Sequence, residues 1–144
     1  MMECFYDLSR FTEAHKYSYQ NALKEIQNGR KVTHWMWYIF PQIYGLGRSA
    51  MSQVYAIRDL EEAKAFLADS YLGGNLFEIC NALLKVKTNN PTEVFGKPDD
   101  MKLRSCMTLF ALISEEDSVF CQILDKFFEG KYDGKTLRKL EKQW

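Results

Sequence analysis

Apolar residues recur every three or four positions along most of the chain, and no stretch alternates with period two over a useful length. This pattern predicts an all-α fold: one compact multihelical domain over residues 1–144, with roughly six to eight helices. The first helix is predicted to open at Ser9, a good N-cap, with Phe11, Ala14, Ser18, Ala22 and Ile26 on one face and Tyr19 and Leu23 widening it. Gly29 stands where a C-cap is expected, and Lys24, Arg30 and Lys31 place cations at the negative end of the helix dipole.

Between Lys31 and Arg48 there is no Asp, Glu, Lys or Arg. Pro41 cannot continue a helix and pushes Phe40 towards an extended backbone, so one or two helical turns and then a loop through Gly45 and Gly47 are expected. A helix restarts near Ser49 and carries Met51, Val54 and Tyr55 to Ile57. Asp59 is the expected cap of a helix using Leu60, Ala63, Phe66 and Leu67. Asp69 or Ser70 opens a longer helix with two apolar stripes, Leu72, Leu76, Ile79 and Leu83 on one and Phe77, Cys80 and Leu84 on the other, which argues for a central position. The Gly73-Gly74 pair is an alternative start for it.

Thr88 to Pro91 reads as a turn and Thr92 to Gly96 as a single helical turn. Lys97-Pro98-Asp99-Asp100 starts a helix with proline in its first turn, almost wholly apolar past Arg104. Ser114 to Asp117 approximates a capping box for an amphipathic helix with Val119, Ile123, Leu124, Phe127 and Phe128, closed by Gly130. Asp133-Gly134 reads as a turn. Leu137, Leu140 and Trp144 then mark a last, basic helix docked by its tryptophan.

Composition narrows the class. A chain of 144 residues fits one domain without internal repeats or linkers, and an aromatic fraction of 15% implies a core built on large rings. Lys+Arg and Asp+Glu both count 19, so a general polyanion binder is not indicated, which argues against nucleic acid as a partner while leaving room for a local basic patch. Cys4, Cys80, Cys106 and Cys121 form no C-x-x-C pair and lie near no histidine in sequence, so no metal site is expected. Four reduced thiols, no signal peptide and an apolar run shorter than the roughly 20 residues of a membrane span point to a cytoplasmic protein. No cofactor motif stands out.

The charge-free run carries His34, Trp35, Trp37 and Gln42 among apolar neighbours, and buried polar groups need partners. His34 is a candidate general base, or a residue that orders its surroundings. Trp37 shares a helical face with His34 and Tyr38, whereas Trp35 points elsewhere, so at least one tryptophan belongs to the core. The turn Gly45-Leu46-Gly47-Arg48-Ser49 presents converging N–H groups and a guanidinium that could fork onto phosphate; alternatively it is a capped turn whose arginine pairs with a carboxylate. Asp99, Lys102 and Ser105 share one face of the next polar cluster, as part of a ligand site or as a salt-bridge ladder. Cys106 has no basic partner to activate it. The charges of the last helix read most simply as a solvated face.

Arg10-Phe11, Gly29-Arg30-Lys31, the run His34-Trp35-Met36-Trp37-Tyr38-Ile39-Phe40-Pro41-Gln42, the turn Gly45 to Ser49, Tyr55-Ala56-Ile57, Ala63-Phe66-Leu67 and Lys102 to Phe110 together resemble the domain-of-unknown-function family 1810. The resemblance covers nearly the whole chain. It implies a compact all-helical fold, found mainly in bacteria, without an established activity or assigned catalytic residues. Some members carry the label calpastatin; a calpain inhibitor would be disordered and polar, and this sequence is neither. The resemblance also implies that Gln often stands where this chain has His15, and Ser where it has Cys106.

Two functions remain in contention. One is a pocket for a small anionic, nucleotide-like ligand lined by His34, Trp37, Gln42, Arg48, Ser49, Lys102 and Ser105. The other is a non-enzymatic helical module that binds a partner protein or itself. A third, weaker reading gives the Lys-rich last helix to nucleic acid.

Overall fold

A computed structural model describes residues 6–142. The first helix, α1 (Ser9–Gln27), does not use Ser9 as its cap. The Asp7 carboxylate reaches forward and accepts from the Ser9 amide at 2.9 Å, so Ser9 is already inside the helix. At its other end Gly29 takes φ +83°, the Gly29 amide donates to the Ile26 carbonyl at 2.8 Å, and the Arg30 amide donates to the Glu25 carbonyl at 3.0 Å. This is a Schellman ending, which turns the chain sharply back along the helix.

The turn delivers the tryptophan segment. One helical turn, α2 (Met36–Ile39), forms before Pro41 stops it. The short α3 (Ala50–Val54) follows, with Ser49 Oγ accepting from the Ser52 amide at 3.1 Å. It ends before the Ile57 anticipated from the apolar spacing, because Ile57 is taken by an isolated parallel bridge to Ile43. The Tyr44 amide donates to the Ile57 carbonyl at 2.7 Å and the Ile57 amide to the Gln42 carbonyl at 2.8 Å.

Then come α4 (Leu60–Ala68), capped by Asp59, and α5 (Ser70–Lys85), capped by Asp69. Gly73 and Gly74 do not delay α5; the helix runs through both. Of its two stripes, Leu72, Leu76, Ile79, Leu83 and Cys80 are fully buried, while Phe77 is exposed. The remaining helices are α6 (Pro91–Phe95), α7 (Asp99–Ala111), α8 (Val119–Phe128) and α9 (Gly134–Glu141). Nine helices among the described residues slightly exceed the number anticipated, because the single turns α2, α3 and α6 each form a separate element.

Three boundaries differ from the reading of the sequence. Pro98 sits at the N-cap of α7 rather than inside its first turn. Ser114 lies in the turn that follows α7, its amide donating to the Ala111 carbonyl, and Ser118 caps α8 instead. Asp133-Gly134 is not a free turn: Asp133 caps α9, and Gly134 is that helix's first residue. Leu140 of α9 is buried; Trp144, the expected anchor, lies outside the described residues, as does Cys4.

The core is centred on α5, packed by α1, α4 and α8, with α7 joining α4, α6, α8 and α9. A line of rings crosses it, from Phe11 to Phe66 at 5.1 Å between centroids, to Phe110 at 5.6 Å, to Phe120 at 5.6 Å. The first contact is edge-on, an arrangement aromatic rings favour. No helix among the described residues is long and apolar enough to cross a membrane.

Candidate functional site

Glu25, in the last turn of α1, organises the opening of the charge-free run. Its Oε1 accepts from the Val32 amide (2.6 Å), the Thr33 amide (2.9 Å) and Trp35 Nε1 (2.9 Å). Its Oε2 accepts from Thr33 Oγ1 (2.6 Å) and Asn21 Nδ2 (2.7 Å). Burial works to raise the pKa of this carboxyl, but the donors from Thr33, Val32 and Trp35 prevail and hold it at about 2. Lys31 braces the same region: its Nζ lies 3.0 Å from Asp99 Oδ2 and 5.0 Å from the centre of the Trp35 ring. Trp35 is therefore core, with its one polar atom satisfied.

The residues anticipated as one site separate into four places. His34 is exposed on the surface, and among the described residues no carboxylate forms an ion pair with its imidazole. Trp37, Gln42 and Lys102 do come together, beside Gly47 and Ser52. The crevice they line has only about 10 Å³ of open space, room for a single water. Lys102 Nζ lies 3.5 Å from Asp99 Oδ1, so that part of the second cluster is the salt-bridge ladder.

Ser105 is buried and points the other way. Its Oγ donates to the Met101 carbonyl (3.3 Å) and to Asp133 Oδ2 (3.2 Å). Thr108 Oγ1 accepts from the Asp133 amide (2.8 Å), and Arg104 donates to the Lys131 and Tyr132 carbonyls (3.0 and 2.7 Å). Asp133 in turn accepts from the Thr136 amide and hydroxyl (2.9 and 2.7 Å). Ser105 thereby helps to seat Asp133, the cap of α9.

That seating matters for Arg48. The turn Gly45–Arg48 forms one wall of a groove of about 300 Å³, and α9 forms the other with Lys135, Arg138, Lys139 and Lys142. Gly45 takes φ +97°, and a Cβ built there would lie 3.0 Å from Lys139 Nζ, so the ammonium rests directly over the glycine. Among the described residues, none of the five cations pairs with a carboxylate. Ser49 stands just beyond, occupied as the cap of α3. The reading of the sequence found Arg48 but not its neighbours. The available signal was the face of α9: positions 135, 138, 139 and 142 are all cationic, whereas Thr136, Leu137 and Leu140 turn inward to varying degree.

Burial pushes the Cys80 and Cys106 thiols up, which leaves them unreactive. No group of His, Cys, Asp and Glu suited to a metal ion occurs among the described residues.

A family model described as "Protein of unknown function (DUF1810)" matches residues 5–140. The crystal structure of the conserved hypothetical protein Rv1873 from Mycobacterium tuberculosis is similar to this chain, at 41% identity and a TM-score of 0.91, over 94% of this chain and 96% of that one. No curated protein matches the chain. The agreement in sequence and in the course of the backbone covers most of the chain, and the chain belongs to the DUF1810 family of proteins of unknown function.

Proposed function

We propose that the protein binds a small phosphate-bearing anion in the groove between the Gly45–Arg48 turn and α9. The observation that carries the reading is the set of five cations lining one groove with no carboxylate among its lining residues. Like charges gathered in this way repel one another, and a chain with no net charge has no general need to gather them. A bound anion relieves the repulsion, and the Arg48 fork can engage two of its oxygens. The site keeps Arg48 of the residues singled out in the sequence and replaces His34, Lys102 and Ser105 with the cations of α9.

The test is calorimetric titration with inorganic phosphate and ATP at low salt, alongside thermal unfolding of the free and liganded protein. Ligand at a hundred times its dissociation constant is expected to add about 2.7 kcal/mol of stability. Arg48→Ala and Lys139→Ala, both at the groove, are expected to abolish that gain without lowering the stability of the free protein. Absence of binding at millimolar ligand would overturn the reading.

A second reading has one observation in its favour. No residue of α3 is buried, and Met51 and Val54 are exposed, a surface suited to a partner protein. A strictly monomeric species by light scattering at high concentration, with no change on charge-neutral substitution of Val54→Ser, would count against self-association through it.

A further inference from the structure

We propose that the ligand of this groove carries a chain of linked phosphates rather than a single one. The inference rests on the groove being the anion site. Lys135, Arg138, Lys139 and Lys142 stand at i, i+3, i+4 and i+7 of one helical face. With a rise of 1.5 Å per residue they extend over about 10 Å of helix axis. Neighbouring cations on such a face have their Cβ atoms about 5–6 Å apart. Lys139 lies at the middle of this row, over Gly45, and Arg48 faces it from the other wall.

One tetrahedral phosphate set between Arg48 and Lys139 reaches the centre of the row and leaves its ends unpaired. It also brings only about two negative charges at neutral pH against five positive ones. Each further phosphate extends the anion along the groove and adds charge where the next cation waits. The groove, of about 300 Å³ and lined by all four of these cations, has the volume for that extension. The fitting ligand class is a linear di- or triphosphate, free or carried on a nucleoside.

The experiment compares orthophosphate, pyrophosphate, tripolyphosphate and ATP by calorimetry at one fixed salt concentration. Affinity is expected to rise about tenfold with each added phosphate, the value of one further charge-assisted contact. The double variant Lys135→Ala/Lys142→Ala, at the two ends of the row, is expected to lose at least tenfold for tripolyphosphate and ATP and several-fold less for orthophosphate, which feels only the weakened field of the groove; an equal loss for all four anions would overturn the inference. Lys16→Ala, an exposed lysine on α1, serves as the control and is expected to alter none of them. Equal affinity for the three inorganic anions would overturn the inference while leaving the groove an anion site. Equal loss in the Lys16 variant would overturn it as well, because the effect would then be general charge. If none of the four binds, the proposed function itself fails. A gain with chain length supports the inference whether ATP or tripolyphosphate binds more tightly, and their order identifies the carrier.

Discussion

Glu25 gathers five donors on two oxygens, and no pattern in the sequence announces it. Two of those donors are backbone amides, which exist at every non-proline position, and they reach Glu25 only because Gly29 reverses the chain. Removing the carboxylate strands the buried Trp35 indole N–H, and each buried donor left unpaired costs about 1–3 kcal/mol. Glu25→Ala is expected to destabilise the protein by about 3 kcal/mol in urea denaturation. A loss below about 1 kcal/mol would mean that water replaces the carboxylate. His15 is the second residue whose importance lies in its surroundings. Its Nε2 meets the Tyr38 carbonyl at 2.8 Å, so that nitrogen carries the proton and Nδ1 accepts from Asn75 Nδ2 at 3.1 Å. Burial lowers its pKa from 6.5 to about 4, against the opposing pull of the Tyr38 carbonyl and Asp69. Between those values the unfolded chain binds a proton that the folded one refuses, so stability falls as pH drops from about 6.5 to 4. Glu25, held near 2 against an ordinary 4.5, adds a second decline below about pH 4.5. His15→Gln is expected to flatten the first decline and keep the second; a profile indistinguishable from the parent's would remove His15 as its source.

At the level of elements, the caps that the sequence revealed are those where one side chain serves one helix. Asp59, Asp69 and Ser49 each accept from the amide three residues on, as their positions suggest. The misread boundaries occur where two polar residues compete. Ser114 and Ser118 both have a side chain that can cap, and Ser118 does so because the chain first turns over Glu115 to Ser118, which delays α8 to Val119 and leaves Ser118 Oγ to accept from the Cys121 amide. Asp133-Gly134 has the composition of a tight turn, and only Ser105 and Thr108 on α7 make it a helix start. The paired glycines of α5 offer a sharper comparison. A Cβ on Gly73 would lie 2.0 Å from the Leu67 carbonyl oxygen, whereas one on Gly74 would meet nothing within 4 Å. Gly74→Ala is therefore expected to stabilise by about 0.5–1 kcal/mol, the usual helical gain. Gly73→Ala is expected to destabilise by about 1–3 kcal/mol through forced separation of α4 and α5. Equal effects of the two in chemical denaturation would show that the close approach relaxes freely.

Over the whole molecule, the helical class could be read from spacing because burial imposes that period on every long element. The grouping of polar residues could not, because it depends on which distant elements meet. Arg48 and the cations of α9 stand roughly ninety positions apart in a chain whose total charge is zero, and only the docking of α9 onto α7 through Asp133 brings them to one groove. Lys102, nearer in sequence to the same helix, lines a separate crevice, with Asp99 as its ionic partner.

The bridge between Ile43 and Ile57 has a dynamic consequence. It pinches off the intervening segment at a neck, and Arg10 reinforces one side by donating to the Val54 and Ala56 carbonyls at 2.9 and 3.0 Å. Inside that neck α3 contributes nothing to the core. Either side of it Leu46 and Tyr55 do pack against the core, Tyr55 with its ring 5.1 Å from that of Tyr38, so a local opening of low free energy is confined to α3 itself. In native-state hydrogen exchange the amides of Ser52 and Gln53 should exchange far faster than that of Ile57, which should follow the core. Matching rates would make the excursion part of the cooperative whole. Because Arg48 stands just before the cap of α3, the wall of the groove that it forms is expected to share the faster exchange of that helix rather than the slow exchange of the core.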